Sequence, residues 1–166
     1  SHPAPATQIH PHKSYHQLPD ICFIAAACAA CISSGDFGGQ IGVGTGMAYA
    51  AKYKNSGQVT LCFFGEAAVN QGIFHESLNM ASIWKLLILF VVENNQWAST
   101  TPQSSGCALG DLCQRAAGYN MPGFSVDGND VLAVRETTLA AVARARTGEG
   151  PSMIEKTTGN CDITRT

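Results

Sequence analysis

Two stretches, Val59–Phe64 and Leu86–Val92, are apolar without polar alternation and have strand length. Such runs are buried on both faces, the habit of parallel sheets. Between them Ile73, Phe74, Leu78, Met80, Ala81 and Trp84 recur at helical spacing. The spacing predicts a helix capped by Asn70 and running to about Lys85. Upstream, Ile41–Tyr53 reads as a helix of small residues, with Gly42, Gly44 and Gly46 on it. Glycine weakens a helix, so several in one helix imply close approach by a neighbouring backbone. Asn55-Ser56-Gly57 ends that helix. Downstream, Leu109–Tyr119 reads as helical and Phe124–Val126 as a short strand. Asp127–Asp130 is a turn whose last residue caps an amphipathic helix over Val131–Arg146. Ser152–Thr157 is a final strand. Alternating helices and strands imply an α/β fold of three αβα layers, a mostly parallel sheet with helices on both faces.

Residues 1–20 are rich in Pro, His, Ser and Gln without periodicity and read as an irregular arm. The apolar run Ile21–Ile32 is twelve residues long, suited to a short buried helix. It falls short of the roughly 20 residues that span a bilayer. The expected division is an arm with its helix over 1–32 and a domain over 33–166. No membrane segment is predicted, and the run begins too late for a signal peptide.

Charged residues make up 13% of the 166, about half the roughly 25% usual for soluble domains. So few charges imply that a partner covers part of the surface. Net charge is −2 with no basic tract, which leaves nucleic-acid binding without electrostatic support. The seven cysteines are an odd number, and Cys28-Ala-Ala-Cys31 lacks the second pair or spaced histidines of a zinc site. Reduced thiols are the simpler reading. His2, His10, His12 and His16 have no acid or cysteine framing them and read as solvent-facing. Gly42-x-Gly44-x-Gly46 lacks the spacing and preceding strand of a dinucleotide loop.

The candidate chemistry lies just beyond the two strands. Glu66 follows the first and Asn95 the second, 29 residues apart, which fits one strand–helix–strand crossover. A parallel sheet sets those ends side by side at its carboxyl edge, where ligands bind. An acid, an amide and loop carbonyls are hard oxygen donors suited to Mg²⁺ and a phosphorylated ligand. His75 and Glu76 read as helix-surface or subunit-contact residues, Asn94 as a turn residue, and Met80 and Trp84 as packing residues.

Gly65-Glu66-Ala67 followed by Asn94-Asn95 is similar to the thiamine-diphosphate signature, usually Gly-Asp-Gly followed by Asn-Asn. The flanking Asn70-Gln71-Gly72, Phe74–Ala81, Trp84-Lys85-Leu86, Arg115–Tyr119 and Val126–Asp130 resemble the alpha subunit of 2-oxo acid dehydrogenases. That family includes the pyruvate, branched-chain and acetoin enzymes, and the likeness runs from about Gly35 to Thr157. It implies Mg²⁺- and thiamine-diphosphate-dependent oxidative decarboxylation of a 2-oxo acid, with the acyl unit passed to the lipoyl acyltransferase component. It implies metal ligands Glu66, Asn95 (side chain) and Trp97 (carbonyl), with the N–H groups of Ala67 and Ala68 at the diphosphate. Gly35, Phe37 and Ala98 would line the cofactor. The activating glutamate would belong to a beta subunit in a heterotetramer, so this chain would carry no catalytic residue of its own and be inactive alone. Cytoplasm or mitochondrial matrix is the implied compartment.

The chain departs from that pattern. Glu66 is longer than aspartate by one methylene, about 1.5 Å. Ala67 puts a methyl group where the family has its second glycine, Leu87 replaces a proline, and flanking contact segments of the family are missing. A non-catalytic assembly module or relic, keeping fold and subunit surface without cofactor, is the alternative.

Overall fold

The computed structural model describes residues 21–22 as backbone, 38–98 and 100–158. Its sheet has four substantial parallel strands: β2 (Val59–Gly65), β3 (Ile88–Asn94), β6 (Gly123–Asp127) and β7 (Ser152–Thr157). A two-residue strand β1 (Ile21–Cys22) adds to one edge, giving the order β1-β2-β3-β7-β6. The chain therefore begins a strand at Ile21 where the sequence reading places the first turn of a helix. The remainder of that expected helix lies outside the described residues, as do the histidine-rich arm, the Cys28–Cys31 pair, Gly35 and Phe37.

Alternate residues of β2, β3 and β7 feed two separate cores, as a period of two requires, while β6 contributes to one of them alone. Cys62, Phe64, Ile88, Phe90, Val92 and Met153 face helices α1 (Gly39–Tyr53) and α2 (Gly72–Ile83). Val59, Leu61, Leu89, Val91 and Ile154 face helix α4 (Val131–Arg146) on the other side. This is the expected αβα sandwich. The connection from β2 to β3 moves one way across the sheet and that from β6 to β7 moves back. Right-handed crossovers running in opposite directions put their helices on opposite faces.

Local chemistry explains most element ends. Asp130 caps α4, its Oδ1 accepting from the N–H groups of Leu132 at 3.0 Å and Ala133 at 3.1 Å. After α1, Asn55 adopts φ 51° and Gly57 φ 70°, both left-handed. The glycines of α1 admit side chains rather than a backbone: a Cβ on Gly44 would meet Cys62 Sγ at 3.1 Å, and one on Gly42 would meet Ile73 Cδ1 at the same distance. Gly46 has nothing near it.

Three expectations change. Asn70 does not cap α2. It ends a 3₁₀ segment, Glu66–Asn70, and the residue before α2 is Gln71, without a side-chain cap bond. Asn70 is committed elsewhere, donating to Gly106 O at 2.9 Å. The stretch read as helical from Leu109 is a 3₁₀ segment over Leu112–Tyr119. Met80 and Trp84 are each 39% exposed; Trp84 packs on Tyr49 with ring centroids 5.2 Å apart at the surface. A small hairpin, β4 (Trp97–Ala98) with β5 (Thr101–Pro102), and the single turn α3 (Gln103–Gly106) follow β3. They are too short to leave a periodic signal.

Candidate functional site

Strands β2 and β3 pair in register up to Gly65 opposite Glu93, so the residues just beyond both ends emerge side by side. Glu66 opens the 3₁₀ segment and is only 7% exposed. Burial pushes its carboxyl above the ordinary carboxylate range. The backbone N–H groups of Glu66 itself, Asn95 and Trp97 face the carboxylate and oppose that rise. The acid after β2 thus points at the loop after β3, the juxtaposition that strand order and spacing predict.

That loop is a double turn. Asn94 Oδ1 accepts the N–H of Gln96 at 2.8 Å, and Asn95 Oδ1 accepts the N–H of Trp97 at 2.8 Å. Two successive side-chain-to-backbone turns reverse the chain and hold Gln96 at φ 68°. Gln96 O then accepts from Gln103 N at 2.9 Å, fixing the hairpin. Asn94 is buried and serves the turn, as read; Asn95 is exposed at its outside. The Trp97 ring is 44% exposed, and Ala98 is half-buried. A cleft of about 570 Å³ adjoins them, walled by Trp97, Pro102, Gln103, Cys107 and Leu109.

Ala67 is exposed and Ala68 buried in the first turn of the 3₁₀ segment. In a 3₁₀ segment capped at Gly65 the N–H of Ala67 precedes the i→i+3 ladder and is open to an external acceptor, whereas that of Ala68 is the first to enter the ladder. Gly38, at the start of α1, approaches Ala68 and Gln71.

Two further residues shape the site. Arg115 reaches from the Leu112–Tyr119 segment to donate to Val69 O at 2.7 Å and Asn70 Oδ1 at 2.8 Å, and touches Cys107 Sγ at 3.0 Å. It thereby clamps the far end of the segment that carries Glu66. Glu155, on β7 and 1% exposed, accepts from Asn94 Nδ2 at 2.6 Å and from Cys113 N at 2.9 Å. Burial first, and then the Glu155 charge, push the Cys113 thiol up to about 11. Glu155 falls within the predicted final strand, but nothing local marks an acid there as buried. His75 and Glu76 lie exposed on α2; His75 Nδ1 bonds the Tyr119 hydroxyl.

The donor set fits a hard divalent cation. Glu66 is a buried carboxylate, and among the described residues no Lys or Arg forms an ion pair with it. Buried charge answered by backbone N–H groups alone remains costly, and a cation would relieve it further. No three His, Cys, Asp or Glu side chains converge among the described residues. A cation here would therefore rest on one carboxylate plus neutral oxygens, the mixture Mg²⁺ accepts alongside phosphate.

The family model described as dehydrogenase E1 component matches residues 25–158. The chain belongs to this family. It is 48% identical over 123 residues to the alpha subunit of acetoin:2,6-dichlorophenolindophenol oxidoreductase from Bacillus subtilis, covering 74% of this chain and 37% of that one. It is 44% identical over 124 residues to the pyruvate dehydrogenase E1 component subunit alpha of Rhizobium meliloti, covering 75% and 36%. Against the 3-methyl-2-oxobutanoate dehydrogenase subunit alpha of Mycobacterium tuberculosis, identity is 44% over 113 residues, covering 68% and 31%. The chain spans about a third of the length of these relatives. By structure it resembles transketolase from Pichia stipitis, with TM-score 0.61 at 18% identity over 74% of this chain and 20% of that one. A protein from Mycobacterium smegmatis described as a thiamin diphosphate-dependent enzyme gives 0.56 at 20% identity, over 76% and 23%. These likenesses show that the E1 chain has the fold of those enzymes. None of its described helices is long and apolar enough to cross a membrane.

Proposed function

We propose that this E1 chain is the diphosphate- and metal-holding part of a thiamine-diphosphate-dependent 2-oxo acid dehydrogenase alpha subunit. One observation carries the reading: the buried Glu66 carboxylate turns across the carboxyl edge of the sheet toward Asn95 and Trp97. Glu66 and the Asn95 amide oxygen hold Mg²⁺, with the Trp97 carbonyl as a third protein donor. The open N–H of Ala67 receives the diphosphate with Ala68 beside it, and Ala98 lines its path. Thiamine diphosphate supplies the electron sink that decarboxylation of a 2-oxo acid requires. This chain would orient that group, whose charge the Mg²⁺ held by Glu66 and Asn95 would offset, while a beta subunit would complete the site in a heterotetramer and the lipoyl acyltransferase component would take the acyl unit. The relatives named above are acetoin, pyruvate and 3-methyl-2-oxobutanoate enzymes, which supports the class of substrate without choosing among them.

Calorimetric titration with Mg²⁺ and thiamine diphosphate, with and without a family beta subunit, tests the reading. Saturable binding that requires Mg²⁺ and weakens at least about tenfold in Glu66→Gln is expected. The double change Glu66→Asp with Ala67→Gly should tighten binding. Absence of saturable binding in all of these proteins would overturn the reading in favour of an assembly module.

A further inference from the structure

We infer that Glu155 is a positioning residue for the metal loop, and that one carboxylate facing one amide across positions 155 and 94 is required to hold that loop in shape. The inference rests on the proposed metal role of Glu66, Asn95 and Trp97. It adds a residue that touches none of the ligand atoms.

The argument is one of donors and acceptors. Three N–H donors converge at the base of the loop, Asn94 Nδ2, Gln96 N–H and Cys113 N–H, and the Cys113 thiol adds a weaker donor toward Glu155. Three acceptors meet them: Glu155 Oε1, Glu155 Oε2 and Asn94 Oδ1. Asn94 is 2% exposed and Glu155 1%, so water is no substitute partner for either side chain. A carboxylate accepts at both oxygens, whereas an amide accepts at one end and donates at the other. With Gln at 155, one acceptor becomes a donor. Flipping that amide, or the Asn94 amide, moves the mismatch without removing it. Each arrangement sets donor against donor at Cys113, at Asn94 or at Gln96.

The consequences reach both halves of the ligand set. Through Asn94, Glu155 fixes the Gln96 N–H and hence the turn presenting Asn95 and Trp97. Asn94 O is also tied to β7, accepting from Thr158 N at 2.9 Å. Through Cys113, Glu155 holds the segment from which Arg115 grips Val69 and Asn70, just beyond Glu66. One buried carboxylate thus braces the loop bearing two ligands and, through Arg115, the segment bearing the third.

The same reasoning supplies a rescue. In the exchange Asn94→Asp with Glu155→Gln, the new Gln donates to the new Asp and accepts from Cys113 N–H. The Asp also accepts from Gln96 N–H. Every donor regains a partner and net charge is unchanged.

The test compares the parent chain, Glu155→Gln, Asn94→Asp and the double exchange, each with the beta subunit present. Mn²⁺ with thiamine diphosphate, followed by electron paramagnetic resonance, reads cation affinity. Amide hydrogen exchange of the same proteins reads the loop. Glu155→Gln should speed exchange at Gln96, Trp97 and Cys113 with α4 unaffected. It should weaken Mn²⁺ binding about 10–100-fold, the usual cost of losing a partner that orients a ligand. The double exchange should restore both to within about threefold of the parent. Unchanged exchange at those amides in Glu155→Gln overturns the positioning role, whatever the titration gives. Failure of the double exchange to recover either readout overturns the pairing rule. If the parent itself binds no Mn²⁺ while exchange responds as expected, the metal reading fails and the role of Glu155 toward it falls too, leaving a brace of the fold.

Discussion

Glu66 is a carboxyl group withdrawn from water with backbone dipoles for company, and its stability effect has a definite sign. Its pKa in the folded chain lies above the ordinary 4.5, so the folded state holds the proton more tightly than the unfolded one. The stability it contributes is complete below 4.5 and is lost as pH rises through the raised value. Without divalent cation, the melting temperature of the parent should fall relative to Glu66→Gln as pH is raised from below 4.5 toward neutrality. Parallel melting curves against pH would refute that assignment. Glu66 and Asn95 were legible because each follows an apolar strand, and the strand order dictates their meeting. Glu155 and Arg115 were not. Glu155 lies 61 residues from Asn94 and Arg115 lies 46 from Val69, so only the assembled sheet brings them together.

Among the elements, the strands and long helices were readable because burial on both faces and helical spacing are strong, extended signals. The 3₁₀ segments and the β4–β5 hairpin were not, because a few residues cannot display a period. The capping role assigned to Asn70 failed because a tertiary partner took the side chain. Arg115 is that partner, and Arg115→Ala should cost about 2 kcal/mol by leaving Val69 O and Asn70 short of donors. Arg115→Lys should recover only part, since a point charge cannot bridge two acceptors as a planar fork does. Urea denaturation of the two variants checks both statements. A second contact holds the Leu112–Tyr119 segment against β6. A Cβ at Gly123 would lie 2.1 Å from the Cys113 carbonyl oxygen. Gly123→Ala should therefore cost about 1–3 kcal/mol or more by forcing the two backbones apart. A denaturation midpoint equal to that of the parent would contradict that contact.

Taken together, the layers form two cores with one sheet between them, and the proposed site sits where the strands of that sheet run out. A ligand bound there stabilises the whole fold by mass action. Magnesium with thiamine diphosphate at one hundred times the dissociation constant should add about 2.7 kcal/mol. Thermal shift with each component alone and with both checks this, and Glu66→Gln, binding at least about tenfold more weakly, should cut the gain to about 1.4 kcal/mol or less. The low charge of the chain finds a counterpart at the surface, where Val43, Tyr53 and Ile83 of α1 and α2 are each more than half exposed. Exposed apolar side chains of this kind are what a covering partner would bury.

Helix α1 lies so close to the sheet that a Cβ added at Gly44 would meet Cys62 Sγ at 3.1 Å and Cβ at 3.2 Å, a few tenths of an ångström too tight. The same helix starts at Gly39, next to Gly38, which rests on Ala68 and Gln71 beneath the proposed diphosphate seat. A rigid rod held at its middle acts as a lever. A carbon atom added at Gly44 asks Cys62 to give by a few tenths of an ångström, and where it does not, the helix and Gly38 shift beneath the proposed seat. The bore of the site is thus gauged from within the core, by the thinness of a residue that bears no chemistry at all.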